Sequence, residues 1–284
     1  MPTYYGQTKI GKVFAYGFGP TKTIPCEFQG VLKHEQVDVV NRCESDLKKD
    51  GRCILALKTG FGKTIVGLNL ISRIKQKTLI LVHKTFLLDQ WIERINCFLS
   101  EVDVGIIKQD IFDIQDKSIV VAMIQTLYSR DFHHNAFDSF GFLIIDECHH
   151  IAAPVFVKVM SKVNCPFVLG LSATVDRKDG LTDIIKYHLG EISSEIKLEK
   201  SDNVKVHYHR YPFTGIIPLN KMDKVCMPSL ISILVQDSLR TNFLIETIRN
   251  VMNDTSKSIL ILSDRRSHCS DIHERLLEKN VPPT

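Results

Sequence analysis

The sequence lacks the features that mark several classes of protein. No apolar run approaches the roughly 18 to 20 residues that cross a bilayer, and residues 1–12 lack the apolar core of a signal peptide. The eight cysteines form no CxxC pair, which argues against a zinc or redox centre. Neither charge is in large excess, because 36 lysines and arginines face 32 aspartates and glutamates. We therefore expect a soluble, intracellular protein with reduced cysteines and without a polycationic surface.

What the 284 residues do contain is an alternation of short apolar runs with amphipathic stretches. Five runs are rich in β-formers and apolar on both faces, as buried parallel strands are: residues 53–57, 78–82, 118–122, 142–146 and 167–171. A helical stripe of Leu88, Ile92, Ile95 and Leu99 predicts a helix on the sheet, with Trp91 buried rather than stacked on a base. The pattern indicates an α/β fold with a mostly parallel sheet.

After residue 199 the pattern changes. Val204, Val206 and Tyr208 predict an exit strand, and a proline-punctuated connector follows. A helical pattern then covers 230–252, an apolar strand is predicted at 258–262, and a last helix at about 266–279. The alternation restarts here, which indicates the beginning of another α/β unit.

A glycine-rich turn follows the first predicted strand and opens a helix: Thr59, Gly60, Phe61, Gly62, Lys63 and Thr64. Glycines let the backbone curl so that successive N–H groups point inward, and the helix N-terminus adds partial positive charge. In such a phosphate loop, Lys63 would reach the β and γ phosphates and the Thr64 hydroxyl would hold Mg²⁺. The usual first glycine of GxxxxGK[ST] is replaced by Leu57, so a simple packing turn is the alternative.

Two acidic residues and two hydroxyl-bearing residues lie at the ends of later predicted strands. Asp146 can hold Mg²⁺ and Glu147 can deprotonate an attacking water, although two acids after a strand can also simply cap the next helix. Ser172 and Thr174, after the strand at 167–171, can bond to the acidic loop and couple it to another site, or merely form a turn. The order and spacing of the three elements strengthen the functional interpretation.

Together these residues resemble the superfamily 2 helicases of the DExH type. Gly60-Phe61-Gly62-Lys63-Thr64 is similar to motif I, Asp146-Glu147-Cys148-His149 to motif II, and Ser172-Ala173-Thr174 to motif III. The resemblance extends to 32–36, to 82–84 with Leu88, Gln90 and Trp91, to 124–127, and, in the style of the XPB and UvsW branch and of large DNA viruses, to 170–181 and 261–266.

The resemblance implies a RecA-like doubly wound sheet of the P-loop NTPase kind and a motor driven by ATP and Mg²⁺. Gln36 would bind adenine, or merely cap a helix, and His149 would link the acidic loop to Ser172. Nucleic acid, DNA in preference to RNA, would contact polar or basic residues at strand ends, which otherwise form a solvated surface: His83, Lys84, Gln125, Thr126, Arg177 and Lys178. Protein partners are not predicted.

The resemblance also suggests four segments and one departure. Residues 1–51 form an N-terminal segment, 52–211 the first RecA-like domain, 212–240 a connector, and 241–284 the start of a second such domain. No QxxGRxxR pattern follows Asp264, so we expect the chain alone to lack the rest of the second domain and to hydrolyse ATP slowly. Two alternatives to a helicase remain: a translocase that tracks duplex DNA without separating strands, and a catalytically idle nucleic-acid-binding module.

Overall fold

The computed structural model describes residues 2–10, 20–151, 153–174, 182–197, 205–252 and 259–278. The chain divides into two compact units, Met1–Lys200 and Ser201–Thr284. The predicted segments at 1–51, 52–211, 212–240 and 241–284 stay predictions. In the described part of the chain, no helix is both long and apolar enough to cross a membrane.

The first unit contains seven α-helices and ten strands among its described residues. The helices are α1 (Thr3–Ile10), α2 (His34–Asp50), α3 (Lys63–Ile74), α4 (Thr85–Phe98), α5 (Ile124–Ser129), α6 (Ala153–Lys162) and α7 (Thr182–Leu189), with a 3₁₀ turn at Cys148–His150. The strands are β1 (Glu27–Phe28), β2 (Arg52–Leu57), β3 (Thr78–Val82), β4 (Leu99–Ser100), β5 (Val104–Lys108), β6 (Ile111–Phe112), β7 (Ile119–Met123), β8 (Phe142–Ile145), β9 (Phe167–Ser172) and β10 (Ile192–Ile196).

Eight strands form one sheet in the order β10-β2-β9-β8-β3-β7-β5-β6. Every neighbouring pair is parallel except β5 and β6. Strands β2, β3 and β8 are buried along their whole length, which explains their continuous apolar sequences. The carboxyl ends of all the parallel strands lie along the same edge of the sheet. The loops that follow the neighbouring strands β2, β9 and β8 therefore lie side by side.

Helices cover both faces of this sheet. One apolar cluster packs α2, α3 and α4 on one face, and a second packs α5, α6 and α7 on the other. Helix α2 ends because Gly51 adopts the left-handed conformation (φ 77°) and donates its N–H to the Leu47 carbonyl. This reversal leads directly into β2, whose far end carries the predicted phosphate loop.

All five strands predicted in the first unit are confirmed, and no strand end is displaced by more than one residue. Helix α4 is confirmed as well, although it ends at Phe98 and the predicted stripe residue Leu99 begins β4. Trp91 is 1% exposed, as predicted from its place on a helix with an apolar stripe. Strands β5 and β10 were not predicted.

The predicted exit strand is wrong where the structure describes it. Val204 lies outside the described residues, and 205–210 are not a strand, with Val206 and Tyr208 exposed. Instead β10 pairs with β2 at the edge of the sheet.

The second unit contains three helices among its described residues: α8 (Met227–Gln236), α9 (Ser238–Met252) and α10 (Arg266–Glu278). The helical pattern at 230–252 is therefore interrupted, because Asp237 leaves helical geometry and its carboxylate accepts the Arg240 N–H as a cap of α9. The strand predicted at 258–262 is wrong over 259–262. Leu260 and Leu262 are each 82% exposed, and no strand of this unit's described residues lies beside them to share backbone hydrogen bonds.

Candidate functional site

The predicted phosphate loop lies between the end of β2 and the start of α3. Gly60 and Gly62 have φ of 83° and 96°, a left-handed backbone that favours glycine. A Cβ at Gly62 would lie only 2.6 Å from Nε2 of Gln36, whereas one at Gly60 would meet nothing within 4 Å. The backbone curl that brings N–H groups to the N-terminus of α3 thus depends on both glycines, and on a close approach at the second.

Gln36 connects the phosphate loop to the start of α2. Its Oε1 accepts the Lys33 N–H at 2.8 Å, which caps the helix, and its Nε2 donates to the Phe61 carbonyl at 2.8 Å. The side chain is 3% exposed. The helix-capping alternative is therefore confirmed, and the same amide also fixes the loop; adenine recognition by Gln36 stays a prediction.

The acidic loop begins with a buried carboxylate. Asp146 is 6% exposed, and its N–H donates to the Leu81 carbonyl, which ties the end of β8 to β3. Its Oδ2 accepts the indole N–H of Trp91 at 2.9 Å and its Oδ1 accepts the Glu147 N–H at 3.0 Å. Burial raises the pKa of Asp146, and the hydrogen bond from Trp91 lowers it in part.

Glu147 meets the phosphate-loop lysine across the site. Its backbone adopts a left-handed conformation (φ 47°), which is uncommon for a residue with a side chain and turns the chain sharply after β8. Oε1 of Glu147 lies 3.2 Å from Nζ of Lys63, and Oε2 lies 3.3 Å from Nδ1 of His149. Lys63 also donates to the Leu57 carbonyl at 3.5 Å. If the two acids only capped the next helix, Glu147 would not be expected to contact Lys63 and His149. The capping interpretation therefore does not account for these contacts.

His149 joins the acidic loop to the end of β9. The Ser172 hydroxyl lies 2.8 Å from Nδ1 of His149, and it also bonds to the backbone of Thr174 through its carbonyl and its N–H. Ser172 is fully buried. Burial lowers the pKa of His149, and His150 lowers it further. Glu147, His149, Ser172 and Thr174 form a continuous chain of polar contacts.

Four of the six predicted nucleic-acid contacts are described, and they lie at the ends of β3 and β7. Lys84 and Gln125 are exposed, and Nε2 of Gln125 donates to the His83 carbonyl at 2.9 Å. The Thr126 side chain is 7% exposed, and its hydroxyl accepts the Gln109 N–H. Thr126 thus holds a neighbouring turn rather than facing solvent. The other two predicted contacts, Arg177 and Lys178, lie outside the described residues.

Residues 29–177 match the family described as the res subunit of type III restriction enzymes, ResIII. The chain belongs to this family. The resemblance to superfamily 2 helicases is thereby confirmed, and the family is one of ATP-dependent, helicase-like motors that act on nucleic acid.

Three relatives illustrate the relationship. A putative ATP-dependent RNA helicase of Acanthamoeba polyphaga mimivirus is 31% identical over 97% of this chain and 54% of its own length. A putative ATP-dependent RNA helicase of African swine fever virus is 29% identical over 83% of this chain and 47% of its own. A probable helicase of Escherichia phage T5 is 29% identical over 88% and 52%. The chain thus spans about half the length of these relatives.

Two solved structures share the ResIII chain's fold. The SWI2/SNF2 ATPase core of Sulfolobus solfataricus in complex with double-stranded DNA superposes with a TM-score of 0.50 at 18% identity, over 57% of this chain and 36% of that one. The UvsW helicase of bacteriophage T4 gives 0.50 at 22% identity, over 62% and 63%. The predicted RecA-like, mostly parallel α/β fold is confirmed.

The contact between Trp91 and Asp146 is among those not predicted from the sequence. The bond from Trp91 to Asp146 joins α4 to the acidic loop across 55 positions. A signal existed, because a buried indole N–H nearly always needs an acceptor. The apolar residues of α4 indicate that Trp91 is buried, but they do not indicate which acceptor its N–H finds.

Proposed function

We propose that this chain is the ATP-binding core of an ATP-hydrolysing motor that requires Mg²⁺ and moves on or unwinds DNA. The observation that carries the proposal is the convergence of three loops at one edge of the sheet, where Lys63 lies 3.2 Å from Glu147. The loops follow β2, β9 and β8, which are neighbours in the sheet. Their residues have complementary tasks in phosphoryl transfer.

The phosphate loop supplies the binding half of the site. Backbone N–H groups around Gly60 and Gly62 and the N-terminus of α3 attract the phosphates, and Lys63 adds a full positive charge. Thr59 and Phe61 complete the loop. Lys63 is paired with Glu147 in this structure. When a triphosphate binds, the Lys63 ammonium group turns toward the phosphates, and Glu147 becomes free to accept a proton.

The donor set suits Mg²⁺. The Thr64 hydroxyl and the Asp146 carboxylate are hard oxygen ligands, and Mg²⁺ is commonly held by one or two such protein groups together with substrate phosphates. A dedicated cage is not required, and among the described residues no group of three or more His, Cys, Asp or Glu side chains forms one. When bound, the ion neutralises charge on the β and γ phosphates.

Glu147 is the proposed general base, and His149 the first link to the rest of the motor. Oε2 of Glu147 is 3.3 Å from His149, and His149 is 2.8 Å from Ser172. A change in charge or position of Glu147 therefore reaches the end of β9 through two polar contacts. We propose that Ser172 and Thr174 transmit nucleotide state to the nucleic-acid site through this chain.

The proposed track for nucleic acid is the surface at the ends of β3 and β7. Lys84 and Gln125 are exposed there beside His83, and such groups contact backbone phosphates without reading sequence. Thr126 supports this surface from inside, and Arg177 and Lys178 are also proposed to contact nucleic acid. DNA is the proposed substrate, although two viral relatives are named putative RNA helicases, so the experiment must compare both.

The test measures ATP turnover and equilibrium binding with single-stranded DNA, duplex DNA and RNA. We expect DNA to stimulate turnover most, and Lys84→Ala to reduce the slope of log affinity against log salt by about 1. Lys48→Ala is the matched control, because Lys48 is also exposed but lies near the opposite end of β2, paired with Glu44. Stronger stimulation by RNA would overturn the DNA assignment, and equal effects of the two substitutions would overturn the proposed track.

A further inference from the structure

Trp91 is the single tryptophan of the chain and is fully enclosed. It lies in the middle of α4 and belongs to the apolar cluster on this face of the sheet. Its one polar atom, Nε1, donates to Oδ2 of Asp146 at 2.9 Å. A side chain that only filled apolar space would not need this contact. Phenylalanine fills such space without an N–H that must find an acceptor.

The bond is one of two that orient the Asp146 carboxylate. Trp91 holds Oδ2 and the Glu147 N–H holds Oδ1, so each oxygen keeps a lone pair for another partner. The indole is a donor only and carries no charge, so it fixes the carboxylate without competing for the role of counter-ion. At 6% exposure, Asp146 has little water to replace this donor.

The indole itself has little freedom to move. Gly67, one turn into the helix that begins at Lys63, faces the ring so closely that a Cβ there would lie 3.0 Å from Cη2 of Trp91. The ring is therefore wedged between the phosphate-loop helix α3 and the acidic loop. One side chain contacts both halves of the proposed nucleotide site.

We propose that Trp91 is a positioning residue that sets the orientation of Asp146 toward Mg²⁺. This inference rests on the proposed function, since it concerns the same ion. Carboxylates that hold metals are themselves commonly held by hydrogen bonds, and loss of such a partner typically weakens metal binding by about 10- to 100-fold. Nucleotide binding through the phosphate loop without Mg²⁺ does not depend on the Trp91 bond.

The test compares the affinity of a non-hydrolysable ATP analogue with Mg²⁺ and with EDTA, in the whole chain. The variant Trp91→Phe keeps an aromatic ring and removes the N–H. We expect its Mg²⁺-dependent gain in affinity to fall about tenfold. Its affinity in EDTA should stay within about twofold of the wild-type affinity. Leu88→Val is the matched control, because Leu88 is buried one turn earlier on α4 without a polar contact, and it should leave the gain unchanged.

Each outcome decides between the hypotheses. An unchanged gain in Trp91→Phe, or the same fall in Leu88→Val, overturns the positioning role and leaves the proposed function standing. Equal losses with Mg²⁺ and with EDTA mean that Trp91 only packs, which also overturns it. If the wild-type chain binds the analogue no better with Mg²⁺ than with EDTA, the proposed use of Mg²⁺ fails, and the inference fails with it.

Tryptophan fluorescence gives a second readout that does not depend on nucleotide. Excitation moves electron density away from the indole nitrogen, so a carboxylate beside that nitrogen shifts emission to longer wavelength. Asp146→Asn removes this charge, and we expect the emission maximum to move to shorter wavelength. Because the chain has one tryptophan, the shift is assigned to Trp91 alone. An identical spectrum in Asp146→Asn and wild type would contradict the contact.

Discussion

Nζ of Lys63 and Oε1 of Glu147 lie 3.2 Å apart and join the phosphate loop to the acidic loop. Both side chains are largely screened from solvent, with 12% and 23% exposed. The cation proposed to bind phosphate and the acid proposed to activate water are thus each other's partners. A nucleotide bound as proposed would therefore compete with Glu147 for one ammonium group.

Glu147→Gln is expected to separate binding from hydrolysis. The substitution keeps the size of the side chain and removes the charge that competes for Lys63, so affinity for the ATP analogue should rise by about threefold, or ~0.6 kcal/mol. Turnover should fall by about 100-fold or more, because the general base is lost. A fluorescent-nucleotide titration and a steady-state ATPase assay measure the two effects.

The control for this variant is Glu44→Gln. Glu44 is also paired with basic side chains, Lys48 at 2.6 Å and Arg73 at 2.8 Å, but it lies on α2 outside the proposed site. It should change neither nucleotide affinity nor turnover. Unchanged turnover in Glu147→Gln would favour the catalytically idle nucleic-acid-binding module.

Replacing the two loop glycines, Gly60 and Gly62, with alanine is expected to lower the free energy of unfolding by unequal amounts. Both glycines have positive φ, so either substitution should cost about 1 kcal/mol of unfolding free energy from backbone strain alone. At Gly62 the new Cβ would also lie 2.6 Å from Nε2 of Gln36 and displace it, which raises the expected cost to about 2 to 4 kcal/mol. Urea denaturation of Gly60→Ala and Gly62→Ala measures the difference, and equal midpoints would refute the close approach.

Substitution of Gln36 should weaken the phosphate loop even when the helix cap is kept. Gln36→Glu retains the oxygen that accepts the Lys33 N–H but loses the donor to Phe61, whereas Gln36→Ala loses both. We expect either change to lower the free energy of unfolding by about 1 to 3 kcal/mol, since the Phe61 carbonyl loses its donor. ATP and GTP affinities of both variants then test adenine recognition, and an unaltered preference would remove that role.

His188 is expected to make the free energy of unfolding depend on pH. Burial, and then the charge of Arg52, lowers the pKa of His188 from 6.5 to about 4. Between these values the unfolded chain binds a proton that the folded chain does not, so this contribution is complete above pH 6.5 and is lost as the pH falls toward 4. From pH 7 to pH 4.5 the wild type should lose about 1.5 kcal/mol more than His188→Asn does.

Urea denaturation at several pH values measures this difference. His134→Asn is the control, because His134 is exposed, and it should lose as much stability as the wild type does. A parallel pH dependence in His188→Asn and the wild type would contradict the assignment to His188.

The central strands were predictable for a physical reason that does not apply to the edges. Strands β2, β3 and β8 are buried on both faces, so their sequences are continuously apolar and flanked by turns. Strand β10 is an edge strand with two serines and a glutamate, and β5 alternates between buried and half-buried positions. Their pairing depends on neighbours distant in the chain, which a local pattern does not reveal.

The site was predictable in its members and less so in its contacts. The order of the loops after β2, β8 and β9 placed Lys63, Glu147 and Ser172 near one edge, because parallel strands end together. The sequence did not disclose that Gln36 bonds to two backbone groups at once, or that the Thr126 side chain points inward. Such contacts depend on side-chain rotamers and on packing between helices, which spacing does not encode.

The position of β9 between β2 and β8 has a consequence for synthesis of the chain. The ribosome releases β2 and β8 before β9, so the loops that carry Lys63 and Glu147 reach their final spacing only after the last of the three strands has been inserted between them. Pairing of strands so distant in the chain is slow relative to local folding. A nascent chain that ends before Ser172 therefore carries both loops before the strand that separates β2 from β8 is complete.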